Sequence, residues 1–95
     1  MDMRLAQAYL NLDQFKDAVD SLHSALSKGG LRRSDEAKVM LGVAEFQLRN
    51  YDAAKKAFEE AKTDKRSRKS AEQWLAYVNH EQARLNQLQE SLSSR

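Results

Sequence analysis

The chain of 95 residues has no cysteine, no proline and no isoleucine, and only three glycines. Without cysteine there is no disulfide framework, thiolate nucleophile or thiolate metal ligand. Without proline no helix need be broken. The β-branched residues are four valines and one threonine, too few for a sheet. No apolar run approaches the ~20 residues that span a bilayer, and no signal-peptide pattern is present. Nor is there a strong excess of one charge: 16 basic and 14 acidic residues leave a formal +2. That balance gives no general reason to expect nucleic acid as a partner.

What is abundant is helix former. Thirteen alanines stand among many leucine, lysine, arginine, glutamate and glutamine residues, which lose least on entering a helix. The fold class is all-α, and the length suffices for one domain with a modest core. Leu5, Ala8, Tyr9 and Leu12 form an i, i+3, i+4, i+7 stripe and predict a helix over about 3–12. Asp13 is placed to cap a second helix over about 15–27, with Phe15, Ala18, Val19, Leu22, Ala25 and Leu26 inward and Gly29-Gly30 to end it. Ser34 or Asp35 would cap a third, about 35–49. A fourth follows over about 52–62, then a polar connector, then a long helical pattern from about 69 to 92.

Shifting the chain by 36 residues superposes Leu5 on Leu41, Ala6 on Gly42, Ala8 on Ala44, Leu12 on Leu48, Phe15 on Tyr51, Ala18 on Ala54, Leu22 on Phe58 and Ala25 on Ala61. Eight matched small or apolar positions across two helices and a turn indicate an internal repeat. A further shift of 34 carries Ala37 to Ala71, Leu41 to Leu75, Gly42 to Ala76 and Ala44 to Val78. Beyond that the match ends, because no turn former stands at Arg84 and Leu85. The small residues Ala6, Ala18, Gly42 and Ala54 let paired helices approach within ~8–10 Å, and Leu22 and Phe58 fill the space beside them.

Leu41-Gly42, Tyr51, Ala54, Phe58 and Ala61, echoed by Leu5-Ala6, Phe15, Ala18, Leu22 and Ala25, resemble the tetratricopeptide repeat. The departures are Asp2 and Lys38 at the family's tryptophan position, Glu45 where the first helix of the repeat usually has tyrosine, Arg66 where proline often ends it, and a spacing of 36 residues rather than 34. The resemblance implies an α-solenoid of antiparallel helix pairs, with repeats at 1–33 and 34–67 and a capping helix over 68–95. It also implies a scaffold or adaptor that binds proteins. The opening Met1-Asp2-Met3 runs straight into a helical pattern, so the chain reads as the C-terminal part of a larger repeat protein. Its compact, proline-free style leans bacterial.

In such repeats the first helices line a concave groove. The resemblance places Met3, Gln7, Leu10 and Asn11 there from the first copy, and Glu36, Val39, Val43, Phe46 and Gln47 from the second. The lining is apolar. The carboxylate clamp of chaperone-binding repeats needs Lys and Asn where Val39 and Val43 stand, so that partner class is not expected. Two readings stay open: an apolar groove for a peptide or helix, or packing of Val39, Val43 and Phe46 against the final helix or a second chain. A stripe of Leu85, Leu88 and Leu92 could pair with another helix and make a homodimer. Lys62, Lys65, Arg66, Arg68 and Lys69 form a basic cluster that could meet a polyanion, though a solvated connector is the plainer reading, and nucleic acid is not expected. His23 and His80 stand 57 residues apart in no metal-binding motif, and the acidic residues lack calcium-loop spacing. No enzyme, cofactor or metal is expected.

Overall fold

A computed structural model describes residues 4–93. Met3 lies outside the described residues, as does the side chain of Leu5. Five α-helices follow one another: α1 (Arg4–Asn11), α2 (Phe15–Lys28), α3 (Ser34–Gln47), α4 (Tyr51–Lys62) and α5 (Arg68–Ser93). Each packs on its neighbours in sequence, and α3 also touches α5, giving an elongated body of 52 × 28 × 20 Å. This is an all-α, solenoid-like stack of antiparallel helices closed by a long capping helix.

The 36-residue repeat is written into the backbone. At the end of α1 the Asp13 N–H donates to the Leu10 carbonyl (3.1 Å) and the Gln14 N–H to the Tyr9 carbonyl (2.8 Å). At the end of α3 the Arg49 N–H donates to Phe46 (2.9 Å) and the Asn50 N–H to Glu45 (2.9 Å), the same bonds 36 positions on. Both turns reverse the chain through a left-handed residue, Asp13 at φ 59° and Arg49 at φ 66°. This is the Schellman ending of a helix, usually served by glycine. Asp13 therefore terminates α1 and does not cap α2, whose first position is preceded by Gln14 with no side-chain cap. Arg33 likewise precedes α3, so neither Ser34 nor Asp35 caps it. Gly29 and Gly30, at φ 74° and 77°, end α2 as expected.

The core has two buried clusters. The first joins Ala6 of α1, Ala18, Val19 and Leu22 of α2, Ala37, Leu41 and Ala44 of α3, and Ala57 of α4. The second joins Ala54, Phe58 and Ala61 of α4 with Ala71, Leu75 and Val78 of α5. The face of α3 carrying Ala37, Leu41 and Ala44 thus packs where the face of α5 carrying Ala71, Leu75 and Val78 packs one repeat later. Alanines dominate because they let helix axes come close, and Phe58 and Leu22, fully buried, fill the remaining volume. Gly42 sits at a close approach: a Cβ there would lie 2.5 Å from the Phe58 ring.

Two apolar positions of the α1 stripe fail to bury. Ala8 is exposed, and Leu12 is 66% exposed. Ala44, the equivalent of Ala8, is covered because α2 precedes α3, whereas no described helix precedes α1. Leu12 and its equivalent Leu48 sit at the last turn, beyond the reach of the neighbouring helix; Leu48 is also exposed.

Candidate partner-binding face

The helices α1, α3 and α5 lie on one side of the stack and present two open hollows. The first, of about 560 Å³, is lined by Gln7 of α1, by Glu36, Val39 and Met40 of α3, by Ser70 of α5, and by Arg33, Arg66 and Ser67 from the flanking turns. The second, of about 390 Å³, lies toward the C-terminal end of α3 and is lined by Phe46, Gln47, Gln73, Trp74 and Tyr77.

Of the expected groove residues, Gln7, Glu36 and Val39 meet at the first hollow, and Phe46 and Gln47 at the second. Val39, Val43 and Phe46 are only half-buried, because one side of each packs against the cluster shared by α4 and α5. Leu10 packs against the first cluster. Asn11 is exposed and accepts a hydrogen bond from the Gln7 amide (3.1 Å). Val39 thus packs against the capping contact and also lines the first hollow, whereas Val43 lines neither hollow. The expected packing residues Ala6, Ala18, Leu22, Ala25, Leu41, Gly42, Ala54, Phe58 and Ala61 are all buried.

Sequence reasoning missed the contribution of α5. Carrying the groove register 34 positions on from Glu36, Val39 and Val43 arrives at Ser70, Gln73 and Tyr77, all of which line the hollows. The missing turn after Val78 pointed to capping and to the Leu85, Leu88 and Leu92 stripe, whereas α5 also contributes lining residues to both hollows.

One end of the face is held by a buried carboxylate. Asp35, 2% exposed, receives two hydrogen bonds from Arg33, Nε to Oδ1 (3.0 Å) and Nη2 to Oδ2 (2.8 Å). The Ser67 hydroxyl donates to its Oδ2 (2.6 Å), and Arg66 Nη2 stands 3.5 Å from its Oδ1. Arg66 is in turn gripped by Asp64 at 2.9 and 3.1 Å. The hydrogen bonds from Arg33 hold the Asp35 carboxyl far below the ordinary carboxylate range, against the opposing effect of burial; the Ser67 hydroxyl and the Arg66 charge add to the lowering. The network ties the start of α3 to the connector before α5 and shapes the wall of the first hollow. Acceptors within the chain engage much of the basic cluster: Arg66 serves Asp35 and Asp64 in this network, and apart from it Arg68 donates to the Lys62 carbonyl (3.3 Å) and Lys62 pairs with Glu59 (3.2 Å).

The other end is aromatic. Trp74 stacks on the buried Phe58 ring at 5.7 Å and 6°. Phe46 meets Tyr51, Trp74 and Tyr77 at 5.7, 6.2 and 5.3 Å, with planes inclined by 60–65°. Glu45, at the position of Tyr9 one repeat earlier, turns toward the Asn50 amide (3.5 Å) and is buried. Farther along α5, Lys55 of α4 donates to Gln82 (2.7 Å), Leu85 is half-buried, and Leu88 and Leu92 are 48% and 67% exposed. Among the described residues no group of three or more His, Cys, Asp and Glu side chains is placed to hold a metal ion, and no helix is long and apolar enough to cross a membrane.

Residues 33–63, spanning α3, its turn and α4, match the family model described as tetratricopeptide repeat. No curated protein and no solved structure matches the chain significantly. The match makes residues 33–63 a tetratricopeptide repeat, and the same turn 36 residues earlier and the helical stack around it support a tetratricopeptide-repeat assignment for the chain.

Proposed function

We propose that the chain is a scaffold or adaptor module that binds a peptide or helix of another protein along the face formed by α1, α3 and α5. Protein-protein interaction is the usual work of the family, which is typically non-enzymatic. The observation that carries the finer reading is the first hollow: the alternate helices α1, α3 and α5 bring Gln7, Glu36 and Ser70 to one open surface that Val39 and Met40 also line. Polar rim and apolar floor are the usual build of a peptide site.

The test is capture of peptides from a random library by the whole chain, followed by the same capture with Glu36→Arg and Gln47→Arg. Both side chains are exposed, so the fold should be unaffected. Loss of capture at unchanged melting supports the reading. Equal capture by wild type and both variants contradicts it.

A second reading, self-association, is favoured by the exposure of Leu88 and Leu92 on the stripe that begins with Leu85. Light scattering over a concentration series decides it: a mass that doubles and returns to monomer in Leu88→Asp supports pairing, and a constant monomer mass contradicts it. The polyanion reading falls behind both, because Lys62, Arg66 and Arg68 already hold acceptors within the chain.

A further inference from the structure

We propose that the hollow between the end of α3 and the first half of α5 takes a proline-rich stretch of the partner in the extended polyproline II conformation. The inference rests on the reading of this face as a peptide groove and names the chemistry of its occupant.

The hollow is lined by Phe46, Trp74 and Tyr77 with two glutamines, and by no ionised side chain. Trp74 and Tyr77 lie 6.0 Å apart with planes at 80°, and each is inclined steeply to Phe46. The three rings thus line the hollow in steeply inclined planes rather than as one flat stack. Trp74 is fixed from behind by its stack on Phe58, so the platform is rigid before anything binds. Tyr77 leaves 54% of its surface in water, a large amphipathic ring with little covering it.

Prolyl rings are apolar and stack on such faces. The polyproline II helix makes no internal hydrogen bonds, so its carbonyls need donors from outside. The amides of Gln47 and Gln73 supply donors at the rim. An α-helix satisfies its own carbonyls and would use neither. The segment is also ordered in advance, which lowers the entropy cost of docking and is why aromatic grooves recur in proline recognition. A lysine or arginine side chain could approach the rings as a cation, but the surroundings disfavour it. The adjoining hollow shares Phe46, Gln47 and Tyr77 and adds Arg49 and Arg84 against one carboxylate, Glu81, which Arg84 already engages. These 95 residues contain no proline, so they do not themselves supply the occupant.

Trp74 is the only tryptophan and lines the hollow, so its emission reports occupancy directly. The 95-residue chain is titrated with blocked decaproline, with a glycine-serine decapeptide of equal length, and with N-acetyl-lysine methylamide. The expected result is a saturable shift with decaproline alone, weakened about tenfold or more by Tyr77→Ala, as for truncation of a central aromatic anchor, and reduced more modestly by Gln73→Ala. Both positions are exposed, and circular dichroism should show unchanged melting. A saturable response to the lysine derivative instead would overturn the assignment in favour of a cation. Decaproline binding untouched by Tyr77→Ala would place the peptide elsewhere and also overturn it. If decaproline gives no shift while library peptides are captured through Glu36, the inference fails and the groove stands; if no peptide binds at all, both fail.

Discussion

Replacing Gly42 by alanine should destabilise this protein, although alanine is the better helix former, and the effect should change sign when Phe58 is made smaller. The Cβ that Gly42→Ala introduces would fall 2.5, 2.6 and 2.7 Å from Cε1, Cζ and Cδ1 of Phe58. Carbon atoms rest at about 3.5–4.0 Å, so the ring must move by roughly 1 Å. It has nowhere to go: Phe58 is fully buried and stacked against Trp74. Overpacking of this kind costs about 1–3 kcal/mol. Alanine in place of glycine in a helix interior returns about 1 kcal/mol. The net loss is therefore about 0–2 kcal/mol. The first repeat supplies the control, because its equivalent positions hold Ala6 and Leu22, both buried in one cluster. In a Phe58→Leu background the clash should vanish and Gly42→Ala should stabilise by about 0.5–1 kcal/mol, the propensity gain alone. Urea denaturation of wild type, both single variants and the double variant gives the coupling, expected at about 1–3 kcal/mol. The same change in stability from Gly42→Ala in both backgrounds would refute the packing argument.

Further predictions rest on single residues. Asp35→Ala removes a buried carboxylate and leaves the Ser67 hydroxyl without its acceptor; thermal or urea melts should show a loss of about 1–3 kcal/mol. Because the folded state lowers the Asp35 pKa, its contribution is complete above the unfolded value of ~3.9 and is lost as pH falls below it. Stability of the wild type should therefore drop more steeply below about pH 4 than that of Asp35→Asn, as read from urea midpoints across pH. Arg49→Gly relieves a left-handed residue that carries a Cβ and should raise the unfolding free energy, read from urea denaturation, by up to about 1 kcal/mol with no change in helicity. Val43→Glu should unsettle the contact between α3 and the capping helix, costing about 1–3 kcal/mol in melts, since Val43 packs on the second cluster. Leu88→Asp, on the exposed end of α5, should leave monomer stability within about 0.5 kcal/mol.

The periodic features were legible in the residues. Leu41, Gly42, Ala54, Phe58 and Ala61 announce paired helices through their sizes and spacing, and the shift of 36 aligns two such pairs from the residues alone. The turns were harder. Asp13 looked like a cap because aspartate often is one, yet the path of the chain puts it in the left-handed position, and Arg49 gives no sign at all of sitting there. Tertiary demand for a tight reversal overrides local preference at both. The Asp35 network was invisible because its partners Arg66 and Ser67 lie more than thirty residues away and meet it only through the stacking of α3 and the connector. The contribution of Gln73 and Tyr77 to the face could have been read by extending the register into α5. Their exposure depends on how α5 leans on α4, which spacing alone does not convey.

The proposed docking of partners on the side made by α1, α3 and α5 is open to direct mapping. The direct measurement is amide chemical-shift mapping of the isotope-labelled chain with a peptide selected from a random library. Perturbations centred on Gln7, Glu36, Gln47, Gln73 and Tyr77 are expected. Perturbations confined to the exposed residues of α2 and α4, such as His23 and Lys56, would contradict that docking.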